Sequence, residues 1–296
     1  MNSAYNIEGY FDSFNLTGAQ LKLATRTLAK RQQISSHDNT AGTRRFEFAF
    51  TPNFGFLASP EPLLKDCELK LSFDRSDWRT AITAFDTIPD DNICTGIDIK
   101  DCVAVVEYVD SPSIREHFST IDTYPITYKY EECNIIIKSI PSETTDIRFD
   151  NLCGGPVPSH IFIGVCPTAN LNGDETVSST LFKCNDVKEV NITLNGSPVN
   201  GYPVQISNSN GVYPFYKFLD ATNRLYDNTV GSTYTMETFK YNWLWAYKSE
   251  AENTSQGWTG ISLTLETGYT TPMSLVVWMI NDASLSIDKY HRVEKK

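Results

Sequence analysis

From Arg44 onward, apolar residues recur at every second position, and this period of two restricts most of the chain to sheet. The run Arg44–Phe50 sets Phe46, Phe48 and Phe50 on one side and Glu47 and Ala49 on the other. Asp66–Phe73 repeats the device with Cys67, Leu69, Leu71 and Phe73. Further strands are predicted at Cys102–Val109, Ile126–Glu132, Cys133–Ile140, His160–Cys166, Glu189–Gly196, Thr259–Thr267, Met273–Ile280 and Ser284–His291, separated by clusters of Pro, Gly, Asn and Asp. Helical spacing is confined to Thr17–Gln33, Ser111–Ile121 and Val212–Asp227, and Ile34–Thr43 reads as a loop. Many short strands with polar connections and no βαβ rhythm predict a mainly β fold of antiparallel β-sandwiches.

The turn-rich stretch Asp150–Cys166, DNLCGGPVPSHIFIGVC, is the best boundary. It implies an N-terminal helix or arm at 1–45, a first sandwich at 46–150 and a second at 151–296. No repeat of about 20–50 residues suggests a solenoid or propeller.

A net charge of −11 opposes binding to nucleic acid or an anionic membrane, which such a surface repels at long range. The densest basic run, Leu21–Gln33, reads as a solvated helix face. Neither a secretory leader nor an apolar run of about 18 residues is found in the sequence, so no membrane insertion is expected. The sequons at Asn15, Asn191, Asn195 and Asn253 are then chance matches, and the thiols are expected to be reduced, in a cytoplasmic or nuclear setting. Cysteines at 67, 94, 102, 133, 153, 166 and 184 have no CxxC spacing, and four histidines lie scattered, so no metal ligand set or cofactor is expected.

The search for chemistry is nearly empty. Cys153, His160 and Cys166 offer a thiol and a base, but no flanking signature activates a nucleophile there. Asp90-Asp91 and Glu131-Glu132 are paired carboxylates, yet neighbours on a strand point to opposite faces and cannot flank one glycosidic bond. Asn170–Thr176 and Asp220–Asn228 are oxygen-rich but lack the full calcium-loop pattern, and read as turns. Tyr241–Tyr247, YNWLWAY, sets Tyr241, Trp243, Trp245 and Tyr247 on one strand face. That face serves either a sugar platform or burial, and burial is the favoured reading. No catalytic, cofactor or metal residue is therefore assigned, and no enzyme is expected.

The order of features resembles the hexon-like double jelly-roll capsid proteins of Polinton (Maverick) elements and adintoviruses, and the invertebrate proteins derived from them. The resemblance lies in Phe149–Val165, in Ile192–Gln205 (ITLNGSPVNGYPVQ), and in Met273–Val293 with its Ile287-Asp288-Lys289 run. Upstream it includes Leu63–Trp78 and Tyr124–Pro141, so that it covers about Phe46 to Val293. About forty residues precede the first matched strand, fewer than in the family, which implies a first roll that is incomplete, rebuilt or lent by another chain. The resemblance implies two jelly rolls and a non-catalytic capsid subunit of a virus or virus-derived element. It also implies self-association as a homotrimer, contact with neighbouring capsomers and minor capsid proteins, and residence in the virion after assembly in host cytoplasm or nucleus. The rival readings are a carbohydrate-binding or glycosidase-like sandwich using segment 241–247, and a protein-binding adaptor.

Overall fold

The structure, a computed structural model, describes residues 109–122, 124–173, 186–199, 203–206, 211–225, 243–249 and 256–295, the short stretches 36–38, 43–45, 62–64, 68–72, 98–100 and 102–106, and residues 55, 182, 236 and 239. The helix expected at Thr17–Gln33 lies outside them. Two compact units divide the chain, Met1–Ala58 and Ser59–Lys296. In the first, β1 (Ser36–Asp38) and β2 (Thr43–Arg45) form an antiparallel pair where the sequence predicts a loop and then a strand.

The described residues of the second unit form an antiparallel sandwich. Sheet I runs β3 (Ile126–Ile140), β11 (Met273–Ile287), β5 (His160–Pro167) and β9 (Trp245–Lys248), with β12 (Val293–Lys295) on the far end of β11. Sheet II runs β4 (Asp146–Pro156), β10 (Gln256–Leu265) and β6 (Val187–Leu194). Its last position is filled by two short pieces, β7 (Ser197–Pro198) and β8 (Val204–Gln205), both bonded to β6. In chain order β3 lies in sheet I, β4 in II, β5 in I, β6 to β8 in II, β9 in I, β10 in II and β11 in I. This double Greek key is the eight-position jelly roll.

Its core lies between the sheets. Ile161, Ile163, Val165, Leu275, Val277 and Met279 of sheet I face Ile147, Val190, Ile192, Ile261 and Leu263 of sheet II. Each buried side chain of this size stabilises the fold by roughly 1.5–3 kcal/mol. The β6–β7 hairpin is set by Asn195-Gly196, both at positive φ, with Leu194 paired to Ser197 across a two-residue turn.

Helix α1 (Pro112–Ser119) starts where the Ser111 side chain accepts a bond from the Ile114 amide and Pro112 takes the first turn. A single turn, α2 (Thr168–Leu171), follows β5. Helix α3 (Val212–Ala221) ends six residues short of the predicted Asp227. The Thr222 hydroxyl turns back to the Phe218 carbonyl, and Asn223 adopts a left-handed φ that stops the helix.

Other expectations also need correction. The boundary placed at 150/151 falls inside β4, because β3 and β4 pair with β11 and β10 and belong to the same roll as 160–295. Asp150–Leu152 form a bulge, three residues opposite Gly260, since Phe149 pairs with Ile261 while Cys153 pairs with Thr259. Val157-Pro158-Ser159 then form the corner that carries the chain from sheet II to sheet I. The predicted strand pairs 126–132 and 133–140, and 273–280 and 284–291, are each one continuous strand up to Ile140 and Ile287. Residues 68–72, 102–106 and 109 belong to no helix or sheet.

Candidate assembly surface

The outer faces of the two sheets differ in kind. Sheet II turns Arg148, Glu189, Asn191, Thr193, Ser262 and Thr264 outward, and Arg148 is ion-paired with Asp150. Sheet I turns out Ile135 and Ile137 from β3, Val276, Trp278 and Ile280 from β11, and Phe162, Gly164 and Cys166 from β5. A half-exposed antiparallel strand alternates apolar and polar residues, whereas a strand covered on both faces reads as a continuous apolar run. Sheet I has the second pattern.

Part of that face is covered from within. Phe182 lies over Gly164, where an added Cβ would come within 2.5 Å of its ring, and meets Trp278 edge-on at 5.3 Å. Phe162 meets Phe218 of α3 at 6.5 Å. Phe218, Phe239, Trp243 and Trp245 continue the aromatic packing around the β9 edge. Toward β3 the cover stops. Ile135 and Ile137 are 57% and 54% exposed, and Cys133 beside them is exposed. On the inner face of β3, Ile126 and Tyr128 are buried, and the Tyr128 hydroxyl accepts a bond from the Leu64 amide at 3.0 Å.

The candidate chemical residues do not converge. Cys153 lies on β4 in sheet II, while His160 and Cys166 stand on the outer face of β5, six residues and roughly 20 Å apart. Burial pushes the Cys166 thiol up to about 11, so it is not an activated thiolate. His160 Nδ1 lies 3.1 Å from the Ser159 hydroxyl, and its Nε2 is buried without a partner among the described residues. Burial holds its pKa below 6.5, against the opposing pull of Glu131, Asp282 and Asp220.

Glu131 and Glu132 point to opposite faces of β3, and Glu132 binds Lys295 at 2.8 Å. Asp90-Asp91 and Tyr241 lie outside the described residues. Asn170 is buried rather than presented to an ion, and Asp220 sits within α3, so neither oxygen-rich segment is a calcium loop over its described part. Among the described residues no group of three potential metal ligands gathers, and no helix is long and apolar enough to cross a membrane. Trp243 and Trp245 retain 3% and 4% exposure, which removes the sugar platform on which the carbohydrate reading depends. Sequence reasoning missed the outer face of sheet I. The signal lay in the unbroken Ile135-Ile136-Ile137 and Leu275–Ile280 runs, where alternation fails.

These features define an antiparallel jelly-roll protein with one polar and one apolar outer face. No protein-family model and no curated protein matches the chain. Among solved structures it is similar to PBCV-1 VP54 as fitted into the virophage Sputnik, at 13% identity and TM-score 0.39, covering 62% of this chain and 54% of that one. It is also similar to the mavirus major capsid protein, at 11% identity and TM-score 0.31, covering 58% and 41%. The Faustovirus major capsid protein aligns at 11% identity and TM-score 0.34, covering 59% and 36%. The chain thus spans about half or less of each of these proteins, and its assignment as a jelly roll rests on its own strand order.

Proposed function

We propose that this chain is a structural, capsid-like subunit that builds a shell by self-association and carries out no catalysis. The observation that carries the reading is the β3 side of the outer face of sheet I, where Ile135 and Ile137 stand against water in a solitary sandwich and would be covered in a tiled one. The sequence resemblance to double jelly-roll capsid proteins supports the same role and supplies its finer form. In that form, residues preceding Ile126 contribute a first roll, three copies associate into a capsomer with a roughly hexagonal outline, and capsomers meet one another and minor capsid proteins in a virion assembled in host cytoplasm or nucleus. Such a protein works through shape and complementary surfaces, which agrees with the scattered candidate chemistry.

Mass photometry and negative-stain imaging of the full-length chain test this reading. A trimer or larger particle with a pseudo-sixfold outline is expected. A protein that stays monomeric at micromolar concentration and binds an unrelated protein instead would replace the shell role by that of an adaptor.

A further inference from the structure

Two parts of the second unit are built for sheet and left outside it. The first is the outer edge of β3, which pairs only with β11 among the described residues. Along Cys133–Ser139 that edge is mostly exposed, including Ile135 and Ile137. The second is the segment beginning at Cys102. It has strand composition, belongs to no helix or strand over its described residues 102–106 and 109, and exposes Val103 at 80%, Val105 at 89% and Val106 at 65%. An uncovered strand edge and a loose β-branched run are each prone to add to another strand.

We propose that the Cys102–Val109 segment of one copy adds as a parallel strand to the Cys133–Ile140 edge of a second copy. This gives the subunit contact of the proposed shell reading a specific form. Parallel pairing in which Cys102 meets Cys133 places Ala104 by Ile135, Val105 by Ile136, Val106 by Ile137 and Val109 by Ile140. The same register brings Glu107, the segment's single charge, beside Lys138, the single charge of the acceptor stretch. An antiparallel arrangement over the same residues would set Glu107 against Ile135. On a chain of net charge −11, this nearly uncharged strip is where copies approach without repulsion.

Chain length identifies the acceptor as a second copy. With Val109 beside Ile140, the link to Ile126 would have to run back along β3, about 46 Å at about 3.3 Å per residue. That link contains α1 and the 3₁₀ turn Thr120–Asp122, and with all its other residues extended it spans at most about 39 Å. Donor and acceptor are different surfaces of one chain, so the contact is head-to-tail, the kind that generates a ring such as a trimer when its rotation closes.

The register offers its own probe. Cys102 and Cys133 are free and exposed, and neighbouring strands about 4.8 Å apart bring their Cα atoms within the span of a disulfide. Diamide treatment of the full-length assembled protein should produce species of two and three chain masses on a non-reducing gel. Peptide mapping should join Cys102 to Cys133, and Cys102→Ser or Cys133→Ser should each abolish the ladder. Val105→Lys should raise the subunit dissociation constant by at least about tenfold, the ratio that corresponds to about 1.4 kcal/mol. The melting transition of the roll should not move, because Val105 lies outside its core. An assembled trimer without the Cys102–Cys133 peptide, or with that link only within monomers, would overturn the strand exchange and leave the shell reading standing. A chain that never assembles would overturn both.

Discussion

The outer faces of sheets I and II belong to one roll and share one core, yet one is written for water and the other for protein. On sheet II the alternation is intact: Ile192 and Leu263 point in, while Thr193 and Ser262 point out. On sheet I the outward positions are Ile135, Ile137, Val276 and Trp278, and the chain's own Phe182 and α3 cover only part of them. The difference teaches that folding the roll and covering its surface are separate tasks. The inner layer fixes stability, and the proposed shell reading assigns association to the outer layer of sheet I.

Substitutions can separate the two tasks. The largest effect belongs to the inner layer. Leu275→Ala or Ile163→Ala, both fully buried, should cost about 2–5 kcal/mol in urea unfolding. A loss below about 1 kcal/mol would mean that the core is not packed as described.

The sharper test moves charges between the outer faces. Paired Ile135→Lys and Ile137→Lys changes should leave roll stability within about 0.5 kcal/mol while abolishing assembly in light scattering. Paired Ser262→Lys and Thr264→Lys changes should leave assembly intact. Equal behaviour of the two pairs would erase the distinction between the faces.

The smallest effect concerns pH. His160 is held neutral by burial, so its folded pKa lies below 6.5. In the window between the folded and unfolded values the unfolded chain binds the extra proton. Stability therefore falls as pH drops from about 6.5 toward the folded pKa. His160→Asn should flatten that part of the stability profile in pH-dependent chemical unfolding, and an unchanged slope would exclude His160 as its source.

Much of the roll was legible in the sequence because its signals are local. The alternating strands, the helix beginning near Ser111 and the burial of Trp243 and Trp245 all follow from a few neighbouring residues. The boundary at 150/151 failed for a physical reason. A bulge followed by a Val-Pro-Ser corner uses the same Asn, Gly and Pro residues as a linker, and only the pairing of β4 with β10 distinguishes them. Long strands were split at Glu131-Glu132 and Asn281-Asp282, where polar residues interrupt the apolar rhythm while backbone pairing continues. Cys102–Val109 shows the converse. Strand composition states a capacity for pairing, and the described residues of the single chain leave that capacity unused.

Hydrogen–deuterium exchange across a concentration series tests most directly whether the outer face of sheet I is where copies meet. The account predicts that, within Asn134–Ser139, the alternate amides pointing away from β11 gain protection as the protein assembles, while those on the outer edge of β4 keep their rates. Uniformly unchanged exchange along β3 in an assembled sample, or protection appearing on sheet II instead, would contradict it.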